Sequence, residues 1–415
     1  MLSGIDKAEK KGNKKFCEMI DGCVPREGIL LAVPTPYLNS MSFSDFVTEL
    51  PKCEQHLHIE GTLTAERRWL CAQANNIEIP GVKSLEQLKG QYLTEYLYEE
   101  GQDATKYLQE FLEIYYASMN VLLTEDDFYH LALDYIKVAQ AQNIRYLEAF
   151  FDPQAHTSRG VSLDTVMNGL LKAQGEASNY GVQLHWVLCI LRDMSAESAL
   201  ETVRRAEPYK NKIIALGLDS DEHDNPPSKF QESFLMARKY GWKITSHCDV
   251  DQKNTHEHIR YAVTELGGKR LSPKQCELEN PELYLTPQLE SGADRIDHGM
   301  NIADKEELLQ LVKKANLGLT LCPMGYQKHL GPQNVFPKVK KIHQFGIPIT
   351  LNSDDPAYLV YSKTETILGV AEGCQFSFKE IYEFEKNAIK MAWTPDVDFK
   401  RKFISDLDTV YSKYC

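Results

Sequence analysis

The chain has 415 residues, 43% of them hydrophobic and 25% charged, which is ordinary globular usage and excludes wholesale disorder. Asp and Glu number 59 against 46 Lys and Arg, for a formal net charge of −13. Nucleic acid and anionic membranes, which select basic faces, are therefore not the expected partners.

No run approaches the ~18 apolar residues of a membrane span. The ten cysteines are scattered without a close C-x-x-C pair, and several sit in apolar runs, as Cys189 and Cys322 do. They read as reduced, buried thiols rather than a disulfide framework. The Lys-rich stretch from Met1 to Lys15 lacks the apolar core of a secretory signal, so a cytoplasmic protein is expected, with the nucleus left open.

Residues 1–42 show no sustained period and read as an N-terminal extension; residues 43–415 carry a regular alternation of helix and strand. Thr124 is placed to cap a helix bearing Phe128, Leu131, Tyr135 and Val138 at helical spacing. The strand Arg145–Asp152 follows. A helix from Ser162 leads to the strand Leu184–Leu191, and one from Ser195 to Ile213–Asp219. The helix Pro227–Tyr240 precedes Lys243–Asp249, and Asp304–Ala315 precedes Leu317–Cys322. The last strand is Ile347–Asn352. With the strand around His56 and the one ending at His298, the count is about eight, which predicts an α/β fold, a closed (β/α)8 barrel of the TIM type. Residues 267–291, rich in Gly, Pro and charge, break the rhythm and read as an insertion. A surface loop is the expectation there, with a lid or a subunit contact as alternatives. No dinucleotide or P-loop motif occurs.

In such a barrel the C-terminal strand ends face the active-site mouth. Four of these ends carry His56-Leu-His58, His247, His298 and Asp354-Asp355. His56 and His58 are two apart, so on a strand both imidazoles face one side. His256 and His258 share the spacing in a helical stretch, where they face different directions, and are expected at the surface. Adding His247 and Asp354 to the first pair gives three nitrogens and one oxygen, a donor set suited to one Zn2+ ion rather than to Ca2+ or Mg2+. His298 is then placed to orient a water, Asp354 to take its proton, and Asp355 to read a substrate.

Pro51-Lys-Cys-Glu-Gln-His-Leu-His-Ile-Glu-Gly-Thr-Leu63, Arg295-Ile-Asp-His-Gly299 and Leu351-Asn-Ser-Asp-Asp-Pro356 resemble the adenosine deaminase family of the amidohydrolase superfamily. Phe150-Phe-Asp-Pro-Gln-Ala-His-Thr157, Gly217-Leu-Asp-Ser220 and Pro226-Pro-Ser-Lys-Phe230 are similar to its fungal and bacterial adenine deaminase branch. The resemblance runs from about Phe43 to the C-terminus, excluding the insertion. It implies a (β/α)8 barrel with one zinc ion, held by His56, His58, His247 and Asp354. It also implies that His298 steers water and Asp355 binds a purine N7. Glu60 and Glu222 fall where that branch reads its substrate, although Asp221, His223, Asp224 and Asn225 depart from its usual sequence.

The departures carry information. The family's fifth strand reads His-Ala-Gly-Glu, whose Glu protonates a ring nitrogen; here His247-Cys-Asp-Val250-Asp-Gln252 puts a valine at that position. Three readings follow. Asp249 or Asp251, on His247's face of an extended strand, takes over the proton. Alternatively, the substrate is another C–N bond needing no ring protonation, with Asp354 acting as base and then acid. The third is a pseudoenzyme that binds metal and ligand. The family's Cys-Pro-x-Ser-Asn is here Cys322-Pro-Met-Gly-Tyr326, which loses a hydroxyl and brings a phenol to the rim. The expectation is a zinc-dependent hydrolytic deaminase of purine metabolism, acting on a purine-like or related aminated heterocycle, for which adenine itself is not the best substrate. Its partner is a small-molecule substrate, and homo-oligomerisation is left open.

Overall fold

In the computed structural model, residues 41–94, 104–248 and 254–415 are described. The N-terminal extension up to residue 40 and the segment with Asp249, Val250 and Asp251 lie outside them. No helix among the described residues is long and apolar enough to cross a membrane.

Among the described residues, nine parallel strands form the core. Five of them, β1 (Lys52–His58), β2 (Ile144–Phe151), β3 (Gln183–Leu191), β4 (Ile213–Asp219) and β5 (Lys243–Ile244), pair in that order. The remaining four, β6 (His247–Cys248), β7 (Ile296–His298), β8 (Leu319–Leu321) and β9 (Ile349–Leu351), do likewise. β5 and β6 are two halves of one stave. Thr245 N still donates to Leu216 O of β4 at 3.0 Å, while Ser246 O accepts from Asp297 N of β7 at 3.0 Å. The circle closes beyond β9, where Leu57 bridges Asp354: His58 N donates to Asp354 O and Asp354 N to His56 O, each at 3.1 Å. Eight staves in a closed ring make a (β/α)8 barrel, as the alternating pattern requires.

The helices form where the sequence supplies caps. Thr124 and Asp127 close a capping box on the helix Glu125–Ala141, and Ser162 and Ser195 cap Leu163–Glu176 and Ala196–Arg205. Phe150, Val187, Cys189 and Ala215 fill the barrel interior, so its middle is packed rather than open.

The insertion does not cover the barrel mouth. Lys269 and Ser291 pair at its base, Leu285 N donates to Lys390 O, and Gln288 N donates to Ala315 O. With Lys243, Arg295 and Gly318 it borders a cavity of about 240 Å3. Those residues begin or precede β5, β7 and β8, so the segment lies at the barrel's base, opposite the strand ends that carry the histidines.

Candidate active site

The C-terminal strand ends bring four groups to one point. His56 Nε2 and His58 Nε2 lie 3.2 and 3.6 Å from Asp354 Oδ1, and His58 Nε2 lies 3.1 Å from His247 Nε2. His298 Nε2 is 3.9 Å from Asp354 Oδ2. The three imidazoles of His56, His58 and His247 have ligand atoms within 4.8 Å of one another. The four histidines are buried and Asp354 is partly buried, and both His298 and Asp354 hold positive φ, +57° and +68°, a conformation non-glycine residues rarely adopt. Such strain concentrates at functional sites.

Hydrogen bonds behind the rings settle the His56 tautomer. Thr320 Oγ1 lies 2.7 Å from Asp297 Oδ1 and 3.0 Å from His56 Nδ1. Burial works against the Asp297 carboxylate, but Arg295, His56 and the hydroxyls of Thr245 and Thr320 keep it below its ordinary range. An ionised carboxylate only accepts, so Thr320 gives its proton to Asp297 and accepts the His56 Nδ1–H. His56 Nε2, 3.2 Å from Asp354 Oδ1, is thereby the nitrogen left to give a lone pair to a cation or, without one, to share a proton with Asp354.

Burial lowers His58 to about 4 and His298 to about 3, and it drives His247, crowded by the imidazoles of His56 and His298, well below the usual range. These rings are neutral at neutral pH, the form that binds metal. His56 moves the other way: burial opposes it, but Asp354 raises it. Burial would also raise Asp354, yet His56, His298 and His58 hold it far below the carboxylate range. Three nitrogens and one carboxylate oxygen that favour a positive charge between them fit a divalent cation with a preference for nitrogen.

A cavity of about 100 Å3 opens above this cluster. His58, His247, His298, Asp354 and Asp355 line its floor; Tyr107, Phe111, Tyr115 and Tyr116 reach over it from the helix Ala104–Ser118. Tyr326, on the helix Pro323–Leu330, also lines it and sets its ring edge-on to His298, with centroids 5.1 Å apart. Gly61 admits Asp355, because a Cβ there would collide with the Asp355 carboxyl and Cα.

Two carboxylates expected at the substrate sit elsewhere. Glu60 lies beneath the floor, where its Oε1 accepts from Asp152 N at 3.1 Å and meets His156 Nε2 at 2.9 Å. Glu222 is fully buried, with His258 Nδ1 at 2.6 Å and Arg192 Nη1 at 3.5 Å. Neither lines the cavity among the described residues. His258 is accordingly not at the surface: two positions along a helix turn a side chain by about 200°, so when His256 faces out, His258 faces in. His256 meets Asp304 at 3.2 Å on the outside.

Asp152 and Asp219 are cavity carboxyl groups that motif reading missed, as it missed the aromatic roof. Asp219 ends β4 and Asp152 directly follows β2, at the barrel mouth with His247 and His298, and this position was the available signal. Burial raises both, Asp219 to about 7 and Asp152 well above the carboxylate range; Asp152 is raised further by Asp219 itself. The pair therefore shares a proton. Ser220, next to Asp219, accepts from Tyr116 Oη at 2.9 Å and ties the roof helix to β4.

A closed parallel barrel with a His/Asp cluster at its C-terminal mouth defines an amidohydrolase-like hydrolase. Residues 51–286 and 288–410 match the adenosine deaminase family, and the chain belongs to it. An uncharacterized deaminase of Schizosaccharomyces pombe is 36% identical over 371 residues, covering 89% of this chain and 98% of that protein. An adenine deaminase of Cupriavidus metallidurans is 33% identical over 374 residues, covering 89% and 94%. The crystal structure of an adenine deaminase from Arthrobacter aurescens superposes with a TM-score of 0.74 at 29% identity, covering 87% and 98%. The chain is thus a hydrolytic deaminase acting on C–N bonds.

Proposed function

We propose that this chain deaminates an aminated purine-like heterocycle with one zinc ion held by His56, His58, His247 and Asp354. The clustering of the three imidazoles within 4.8 Å of one another, with Asp354 beside His56 and His58, carries the reading. An ion bound there supplies a positive charge that lowers the pKa of water to about 7. His298 and Asp354 face each other across the floor, so they hold the attacking water, and Asp354 takes its proton. Asp355 anchors the heterocycle, and Tyr326 stacks or hydrogen-bonds at the rim. Water adds to the amino-bearing carbon, and the proton held by Asp354 leaves with ammonia.

The ring nitrogen needs a second proton donor, and Asp249 or Asp251 fills that role in place of the family Glu. Val250 also favours a second reading, a substrate that needs no ring protonation, with Asp354 as the sole base and acid. The relatives' name points to adenine, but Val250, Gly325 and Tyr326 replace three residues of the family pattern around the substrate. A related heterocycle is therefore the better substrate. The test is zinc stoichiometry on the purified protein, with ammonia release measured across aminopurines, aminopyrimidines and cyclic amides. One zinc per chain and turnover of a member other than adenine is the expected result. A metal-free protein that is fully active, or adenine as the best substrate, would overturn the respective part.

A further inference from the structure

The polar lining of the cavity has two halves, and the chemistry above uses one of them. The other half is Asp152 and Asp219 at the ends of β2 and β4. Their residues are 1% and 3% exposed, yet they border the cavity. Both oxygens of Asp219 and Oδ1 of Asp152 lack a hydrogen-bond partner in the protein. Hydrogen-bond donors nearby are few: His58 Nδ1 is 3.5 Å from Asp219 Oδ2. No Lys or Arg side chain lines the cavity among the described residues.

Two carboxyl groups side by side in a dry wall cannot both ionise cheaply, and even with one proton shared between them they present acceptor oxygens that no protein donor meets. A partner bearing adjacent N–H groups relieves both costs at once. An anionic partner meets four carboxyl groups, Asp152, Asp219, Asp354 and Asp355, with no cationic side chain among the described lining residues to offset them. His58 separates Asp219 from Asp354, touching one with Nδ1 and the other with Nε2. The pair thus lies one ring's width from the point where the scissile amino group sits.

We propose that Asp152 and Asp219 form a recognition subsite for a second N–H-bearing edge of the substrate, selecting neutral or cationic diamino-type heterocycles over phosphorylated ones. This rests on the proposed deaminase reading for the position of the scissile group. It differs from that reading in its residues and in what it predicts.

The probes are 2-aminopurine and unsubstituted purine, which differ by one exocyclic amino group; neither carries the 6-amino group, so binding is read without turnover. Titration of the metal-loaded protein is expected to give a dissociation constant at least about tenfold lower for 2-aminopurine, a single charge-assisted hydrogen bond being enough for that factor. Asp152→Asn, which places an amide donor in the subsite, is expected to erase the preference while zinc content stays at the parental value. Asp219→Asn provides the same comparison should Asp152→Asn fail to fold. Equal binding of the two probes to the parent, or a preference that survives in the folded variant, overturns the subsite. A second equivalent of metal that is lost in Asp152→Asn would make the pair a cation site and also overturn it. If the protein releases no ammonia from any substrate but keeps the amino-dependent preference, the deaminase reading fails and the subsite stands.

Discussion

Thr320→Val isolates the hydrogen bond that aims His56. The hydroxyl on β8 gives its proton to Asp297 over 2.7 Å and takes the His56 Nδ1–H over 3.0 Å. Valine keeps the shape and removes both bonds. His56 then loses the contact that fixes its tautomer and ring plane, and loss of such an outer partner typically weakens a metal site 10–100-fold, or about 1.4–2.8 kcal/mol. A separate cost falls on the fold. Asp297 keeps Thr245 and Arg295 but loses one partner, and a buried acceptor left short costs about 1–3 kcal/mol. The two effects separate experimentally. Zinc affinity is read by competition with a chelator of known affinity, and stability by urea unfolding of the metal-free protein. Thr320→Ser retains the hydroxyl and serves as the control, with near-parental zinc affinity. If Thr320→Val binds zinc within about twofold of the parent while Asp297 loses its partner, the tautomer argument is wrong.

Three further outcomes are expected. Native Asp219 titrates at about 7, whereas an unfolded Asp titrates near ~3.9. Between those values the native chain holds a proton that the unfolded chain has lost, so metal-free stability falls as pH rises through that window, and Asp219→Asn flattens the slope in urea unfolding. Gly61→Ala drives a methyl into the Asp355 carboxyl and Cα, an overpacking cost of about 1–3 kcal/mol. KM should rise while zinc content stays constant; an unchanged KM would mean that Asp355 does not hold the substrate. Of Asp249→Asn and Asp251→Asn, one should lower kcat about 10²–10⁴-fold with metal content unchanged, the scale of a lost general acid. Parental kcat in both would move the proton to Asp354.

What the sequence made legible depends on how locally each feature is determined. Thr124, Ser162 and Ser195 bond backbone groups three residues on, so their caps could be read from the sequence alone. The His56–His58 pair was legible for a similar reason, since strand geometry puts positions i and i+2 on one side. His247 and Asp354 are 107 residues apart in the chain, and their convergence followed only from counting staves to a closed ring. The two carboxylates that turned up elsewhere fail on distance. Glu222 is buried against Arg192 and His258, 30 and 36 residues away, and no local pattern announces such partners. Glu60 depends in the same way on His156, 96 residues on.

The family motifs therefore mark where a residue type is required without saying whether it touches the substrate or supports a neighbour. In Phe150-Phe-Asp-Pro-Gln-Ala-His, the Asp152 side chain enters the cavity, Gln154 accepts from Leu191 N on β3, and His156 turns inward to Glu60. One motif thus serves the cavity wall, the barrel and the layer beneath the floor. The rule that separates these roles is topological. Residues that end a stave face the mouth, while those one turn further brace it. Applied evenly, that rule places Asp152 and Asp219 beside His247 and His298. Under the proposed reading, the general acid is sought by the same rule just past β6, where Asp249 and Asp251 follow His247 in the sequence.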